Sequence, residues 1–392
     1  MKRCRTCLVP DTRPRTVLDA TGQCNACKYH FVEKPRIDWQ ERKTMFQELV
    51  DENKQHPQFD CLVPFSGGKD SATIAHRLKY ELGFRPLLVS FGQMLWTAAG
   101  RHNYERVRRA GFDCLYWAMN QEVSRKLARR FFIERGHPKA HYDAAINAVP
   151  VRIAKELGIP LIVYAEHGDT EYGGLILNEK SRRFRDLEEV LEHCVGDDAR
   201  NWAGDGITEQ DLAWTYVYPD DVKGITATYW SYHFRWDIYA NAMYARDRMG
   251  FQPAHVRDTP AGAPWKWGRN DGSFEGFDSI DDMIDDLDFH MLMPKFGYGR
   301  ATRMASRLIQ YGHMTRENGL RLAQAYDGEY PRRYFREIIH YLGVSEAEFD
   351  KVIATHDEGI ELEPGVRRQT KDDILTQRDR RIWGGRIAAP IG

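Results

Sequence analysis

The sequence predicts an α/β protein built on a parallel sheet, doubly wound with helices on both faces. Three observations predict it. Short apolar runs at 61–65, 86–91, 113–119 and 160–165 read as strands. Stretches with helical spacing lie between them, and strands alternating with helices pair in parallel. A glycine-rich turn, Ser66-Gly67-Gly68-Lys69-Asp70-Ser71, joins the first strand to the next helix. Ligands of such sheets bind beyond the carboxyl ends of the strands, so the loops after Phe65, Phe91, Met119 and Ala165 are where chemistry is expected.

Residues 1–36 are polar, cysteine-bearing and rich in Pro and Thr. Asp38 can cap a helix over 39–55, with Trp39, Phe46 and Leu49 on one side. In a helix over 70–82, Ala75, Leu78 and Leu82 recur at helical spacing and Gly83 supplies the stop. A further helix lies near 104–110. Helical pattern covers much of 121–157, where Pro150 is expected to kink or divide it. Residues 278–355 read as mostly helical; Gly343 stops one helix, and Ser345 with Glu348 forms a capping box for the next. The chain divides into a cysteine module (1–36), a nucleotide-loop domain (37–200), a mostly helical region for substrate or partner (201–362) and a basic tail (363–392).

Net charge is −1, so charge by itself predicts neither a nucleic-acid nor a membrane partner. No apolar run approaches the ~20 residues of a membrane span, and no apolar stretch follows the basic start, so the expected compartment is the cytoplasm. Seven cysteines, an odd number in a reducing compartment, argue for a metal site over a disulfide framework. Cys4-x₂-Cys7 and Cys24-x₂-Cys27, with sixteen intervening residues, have the spacing of a four-thiolate zinc site, closed and structural. An iron–sulfur cluster or a redox pair are the alternatives. Cys61, Cys114 and Cys194 read as packing residues.

In the loop at 66–71, Gly67 and Gly68 let phosphate oxygens approach the backbone, and the start of the helix favours an anion. Ser66 and Ser71 add hydroxyl donors and Lys69 a point charge. Asp70 fits beside phosphate with Mg²⁺ between them. Phe91, at the end of the second strand, is grouped with these as nucleotide-binding.

A polar loop follows the fourth strand: Glu166-His167-Gly168-Asp169-Thr170-Glu171-Tyr172-Gly173-Gly174. Its carboxylates suit Mg²⁺ or an amine or amide; Glu166 and Glu171 are assigned to catalysis, and Asp169, Tyr172 and Gly173 to substrate. Residues 271–288 hold eight acidic residues and no Lys or Arg, the pattern of a solvated helix face. Residues 295–302 combine glycines, aromatics and basic residues before a helix, which suits an anion such as a sugar-nucleotide diphosphate; Lys295 and Arg300 are assigned to substrate.

The loop at 66–71 resembles the PP-loop of the ATP pyrophosphatases, whose fold is the adenine nucleotide alpha-hydrolase-like type. With the cysteine pairs, 166–174, 236–239, 278–288, 295–302, 314–317 and 326–329, the chain resembles the N-acetyl sugar amidotransferases of bacterial surface-polysaccharide synthesis, relatives of the pseudaminic-acid and O-antigen enzymes. Position 167 is His where that family usually has Asn. The resemblance implies that ATP adenylates the carbonyl oxygen of a sugar acetamido group and that ammonia displaces AMP to give an acetamidino group. ATP, Mg²⁺ and a structural Zn²⁺ are the implied cofactors.

No unassigned cysteine sits in a glycine-rich elbow and position 2 is Lys, so the ammonia source is expected to be a separate glutaminase. The resemblance points to a subunit like that of imidazole glycerol phosphate synthase, with a cyclase-like barrel as a further partner. The acidic stretch and the cysteine module are the candidate docking faces. Two other readings compete. A tRNA-thiolating enzyme of the PP-loop class needs more paired cysteines and a basic surface, and a non-catalytic nucleotide-binding subunit does not need Lys69 and Asp70.

Overall fold

A computed structural model describes residues 1–174, 176, 178–188, 190, 196–254 and 257–360. Cys194 and the tail at 363–392 lie outside the described residues. Five strands form one parallel sheet: β1 (Cys61–Pro64), β2 (Pro86–Phe91), β3 (Asp113–Trp117), β4 (Leu161–Tyr164) and β5 (Thr226–Tyr229), in the order β3-β2-β1-β4-β5. The chain winds one way from β1 to β3, then returns to place β4 on the other side of β1. The carboxyl ends of β1 and β4 therefore flank a topological switch point, where open α/β sheets bind ligands.

The alternation of side chains along each strand sorts the core into two layers. Cys61, Val63, Leu88 and Val163 pack on one face, against α1 (Trp39–Glu52), α2 (Lys69–His76) and α3 (Ala98–Arg108). Leu62, Leu87, Val89 and Ile162 pack on the other, against α4 (Gln121–Arg135) and α5 (Ala140–Leu157). The short α6 (Gly168–Tyr172) follows β4, and α7 (Ile238–Met249) follows β5. The rest is helical: α8 (Ile284–His290), α9 (Arg300–Gln310), α10 (Arg316–Tyr326), α11 (Phe335–Leu342) and α12 (Glu346–Thr355). None of the helices searched among the described residues is long and apolar enough to cross a membrane.

Three expectations change. Pro150 does not divide the helix; α5 runs through it, and the break falls at Gly136, whose left-handed backbone (φ 56) closes α4. β5 belongs to the sheet, so the nucleotide-loop domain continues past residue 200 to at least Tyr229. The acidic stretch is not a solvated face. Asp271, Glu275, Asp278, Asp282, Asp285 and Asp286 are all buried. The Ser345–Glu348 capping box and the left-handed Gly343 stand as the sequence predicts.

Candidate active site

A cleft of about 560 Å³ opens at the switch point, a size suited to a nucleotide-sized ligand. Its walls include Ser66, Gly68, Lys69, Asp70, Ser71, Phe91 and Glu166. Gly67 has φ +91, a conformation that L side chains rarely adopt, and a Cβ there would crowd Tyr104 at 3.1 Å. Gly68 opens α2 with no side-chain cap, whereas α1 and α4 are capped by Asp38 and Asn120. The first N–H groups of α2 are thus left to an anion in the cleft, as phosphate binding needs.

Lys69 is buried, and its ammonium donates to Asp70 Oδ2 (2.6 Å) and Asp278 Oδ1 (2.8 Å). Burial favours a neutral lysine, but the two carboxylates outweigh it and raise its pKa, so it stays charged. Asn241 on α7 donates to Asp70 Oδ1 (3.0 Å). Asp278 is aimed by a local turn: Glu275 Oε2 accepts the N–H groups of Phe277 (2.7 Å) and Asp278 (2.9 Å). The next residue, Ser279, is left-handed (φ 48), a strained conformation for a non-glycine residue and one that clusters at functional sites.

Arg303 donates to Asp278 Oδ2 (2.5 Å), and Arg307 lies 3.8 Å from the same oxygen. Burial works against ionising Asp278, yet Lys69, Arg303 and Arg307 hold its pKa well below the usual range. Both arginines line the cleft, and the sequence reading missed them. The spacing of 300, 303 and 307 puts three arginines on one face of α9, which was the available signal.

At the end of β4, Glu166 receives the Tyr172 hydroxyl (3.2 Å), which in turn accepts Trp236 Nε1–H (3.1 Å). Arg307 stacks on the Tyr172 ring at 3.5 Å. Burial and then the neighbouring Asp70 push the Glu166 carboxyl up to about 6, against the pull of Arg307.

Other assigned residues stand elsewhere. Glu171 is fully buried away from the cleft, accepting from Lys34 Nζ (2.9 Å) and the Tyr311 hydroxyl (2.8 Å). Gly173 and Gly174 dock on the cysteine module: Arg13 donates to the Gly173 carbonyl and Asn25 Nδ2 to that of Gly174 (2.6 Å). Asp169 pairs with Arg15 (3.3 Å) outside this cleft. Lys295 donates to the Arg135 carbonyl (2.8 Å). Arg300 is buried and clamps the backbone behind Asp278, donating to the Ser279 carbonyl (3.0 Å) and pairing with Asp286 (3.3 Å). Neither Lys295 nor Arg300 lines the cleft. Their basic character looked like anion recognition; buried carboxylates and carbonyls use it instead.

The four sulfurs of Cys4, Cys7, Cys24 and Cys27 are buried and lie within 4.8 Å of one another. Cys4–Cys27 and Cys7–Cys24 are 3.8 and 3.7 Å apart. Four ligands about 2.3 Å from one tetrahedral ion would be ~3.8 Å apart, so the set fits a single metal ion. The N–H of Cys24 (3.3 Å) and of Thr6 (3.4 Å) point at Cys4 Sγ, as suits a thiolate.

Sheet, switch point and loop together define an α/β protein with a cleft at the carboxyl ends of β1 and β4. Residues 271–363 match the family model described as LPS biosynthesis protein WbpG-like, C-terminal domain. This match supports the resemblance to the N-acetyl sugar amidotransferases. No curated protein matches the chain. Among solved structures, the U34-tRNA thiolase NcsA from Methanococcus maripaludis, with its 4Fe-4S cluster, is similar over 80% of this chain and 87% of that chain, at 10% identity and a TM-score of 0.29. A likeness that distant carries no further argument.

Arg303→Gln and Arg307→Gln are each expected to lower turnover by about 10²–10³-fold, because each removes a fixed charge from the cleft. Lys295→Ala is expected to leave it unchanged. Pyrophosphate release measured on the three variants checks this.

Proposed function

We propose that the chain is an AMP-forming amidotransferase acting on an N-acetyl sugar, nucleotide-linked, in surface-polysaccharide synthesis. One observation carries the reading. The WbpG-like segment and the loop at 66–71 build one cleft, joined through the Lys69–Asp278 pair. An amide carbonyl is a poor electrophile, and AMP on its oxygen turns that oxygen into a leaving group. The acetamido oxygen attacks the α-phosphorus of ATP and pyrophosphate departs. Ammonia then adds to the activated carbon, AMP leaves with the C–O bond, and a proton is lost to give the amidine.

Lys69, Arg303, Arg307 and the N–H groups opening α2 stabilise the charge on the departing pyrophosphate. Asp70 and Asp278 are the carboxylates suited to Mg²⁺, which when bound would neutralise phosphate charge. Glu166 takes the proton from the incoming amine. As a carboxylate with a pKa near 6 it is competent only when ionised. Turnover at fixed free ammonia is therefore expected to rise as pH rises through about 6 and to level off above it. A pH–rate profile checks this, and Glu166→Gln should lose the acid limb along with most of the rate.

Zn²⁺ is the ion proposed for the four cysteines, as structural support. Ammonia comes from a separate glutaminase, like the one paired with imidazole glycerol phosphate synthase, and the setting is cytoplasmic. Burial pushes the Cys61 thiol up and that of Cys114 up to about 11, so neither is a ready nucleophile toward glutamine. With the acidic stretch buried, the cysteine module, where Val17 and Phe31 are exposed, is the proposed docking face.

The test is AMP and pyrophosphate formation against a panel of UDP- and CMP-linked N-acetyl sugars and tRNA, with ammonium or with ¹⁵N-amide glutamine. Sugar-dependent AMP release with amidine formed from ammonium supports the reading. Dependence on tRNA alone would overturn it, and labelled amidine from glutamine without a second protein would overturn the separate glutaminase.

A further inference from the structure

The carboxyl end of β4 has two sides. Glu166 lines the nucleotide cleft, on the β1 side. The next residue, His167, lines a second and larger cleft of about 900 Å³, which follows β5 along Thr226, Ala227 and Tyr229. Arg185 belongs to both clefts. Its backbone N–H donates to the Ala227 carbonyl (3.0 Å), its guanidinium donates to Asn147 and its charge lies over the Tyr164 ring (4.4 Å). The two cavities therefore share a fixed wall. A two-substrate reaction needs such an arrangement, since each ligand requires its own volume and the reacting atoms must meet between them.

The lining of the second cleft indicates its ligand. His167 caps α6: its Nδ1 accepts the N–H of Thr170 (3.1 Å), which leaves the ring proton on Nε2. Asn can make the same cap with its side-chain oxygen, which accounts for His standing where Asn is usual. Burial lowers the His167 pKa to about 4, so the ring is neutral, and its Nε2–H makes no hydrogen bond among the described residues. The ring of Tyr229 stands edge-on to it at 4.6 Å. Asp169, paired with Arg15 through Oδ2 (3.3 Å), offers its other oxygen as an acceptor, and the lining holds four cations and four carboxylates. A balanced polar lining beside an aromatic ring suits the neutral, hydroxyl-rich sugar ring of the substrate and not its phosphates.

We propose that this second cleft is the acceptor subsite, holding the N-acetyl sugar against Tyr229 with its hydroxyls on Asp169 and His167 Nε2–H. Its acetamido group then reaches past Arg185 toward the Glu166 side. This deepens the amidotransferase reading and rests on it.

The test uses the full chain. Saturation-transfer NMR is recorded with UDP- and CMP-linked N-acetyl sugars on the wild type, Asp169→Asn and Tyr229→Leu, and KM is measured for sugar and ATP. The expected result is sugar-ring contact in the wild type and a sugar KM raised at least tenfold in both variants, with the ATP KM within twofold. Should Tyr229→Leu fail to fold, the isosteric Asp169→Asn still decides. A sugar that binds wild type and variants equally would overturn the subsite while leaving the activity intact. ATP binding with no sugar bound by the wild type would overturn the amidotransferase reading, and the subsite with it.

Discussion

Lys69→Ala is expected to reduce AMP and pyrophosphate formation on the order of 10³-fold, the scale of losing a preorganised charge from a water-poor site. Lys69 is the cation held at the opening of α2, fixed by Asp70 and Asp278. Taking one member from a buried ion pair often costs about 3–5 kcal/mol, because the partner is left uncompensated. Here Asp278 keeps Arg303 and Arg307, and Asp70 keeps Asn241, so the fold should survive. Thermal unfolding of the variant, measured beside pyrophosphate release, separates the two effects. Near-normal turnover in a folded variant would remove Lys69 from the catalytic machinery.

What the sequence revealed follows from where the physical signal was local. β1, β2, β3 and β4 are apolar runs bounded by polar turns, and the loop at 66–71 carries its own glycine and lysine chemistry. β5 is only Thr226-Ala227-Thr228-Tyr229; its threonines hide a strand that pairs at the sheet edge. The cleft residues beyond the loop were harder because their partners are distant in sequence. Asp278 meets Lys69 across 209 positions, and Glu171 meets Lys34 across 137. A single sequence does not register that a carboxylate such as Glu171 will be consumed by a buried lysine. Nor does it register that Arg300 will brace a turn while Arg303 and Arg307, on the same helix face, reach the cleft.

Loss of the metal is expected to have the widest structural effect. The binding free energy of structural zinc at four-ligand sites is roughly 10–16 kcal/mol in small peptides, comparable to or above the ~5–15 kcal/mol stability of a whole domain. A module of 36 residues has too little core to fold without such support. Its unfolding would not stay local. Arg3 donates to Thr302 on α9 (3.1 Å), and Gln310 to Cys7 Sγ (3.6 Å). Arg13 and Asn25 hold the Gly173 and Gly174 carbonyls, and Lys34 holds Glu171. These contacts fix the residues around Tyr172, whose hydroxyl binds Glu166. Cys7→Ser, or strong chelation of the wild type, should therefore remove one metal ion per chain, expose residues 1–36 to protease, and abolish turnover although no ligand cysteine touches the cleft. ATP binding should weaken far less than turnover, since the loop at 66–71 is built on β1 and α2 and not on the module. Elemental analysis, limited proteolysis and ATP affinity on the same samples give the three readouts. A metal-free chain that keeps its N-terminal module and its activity would show that the four thiols pack without an ion.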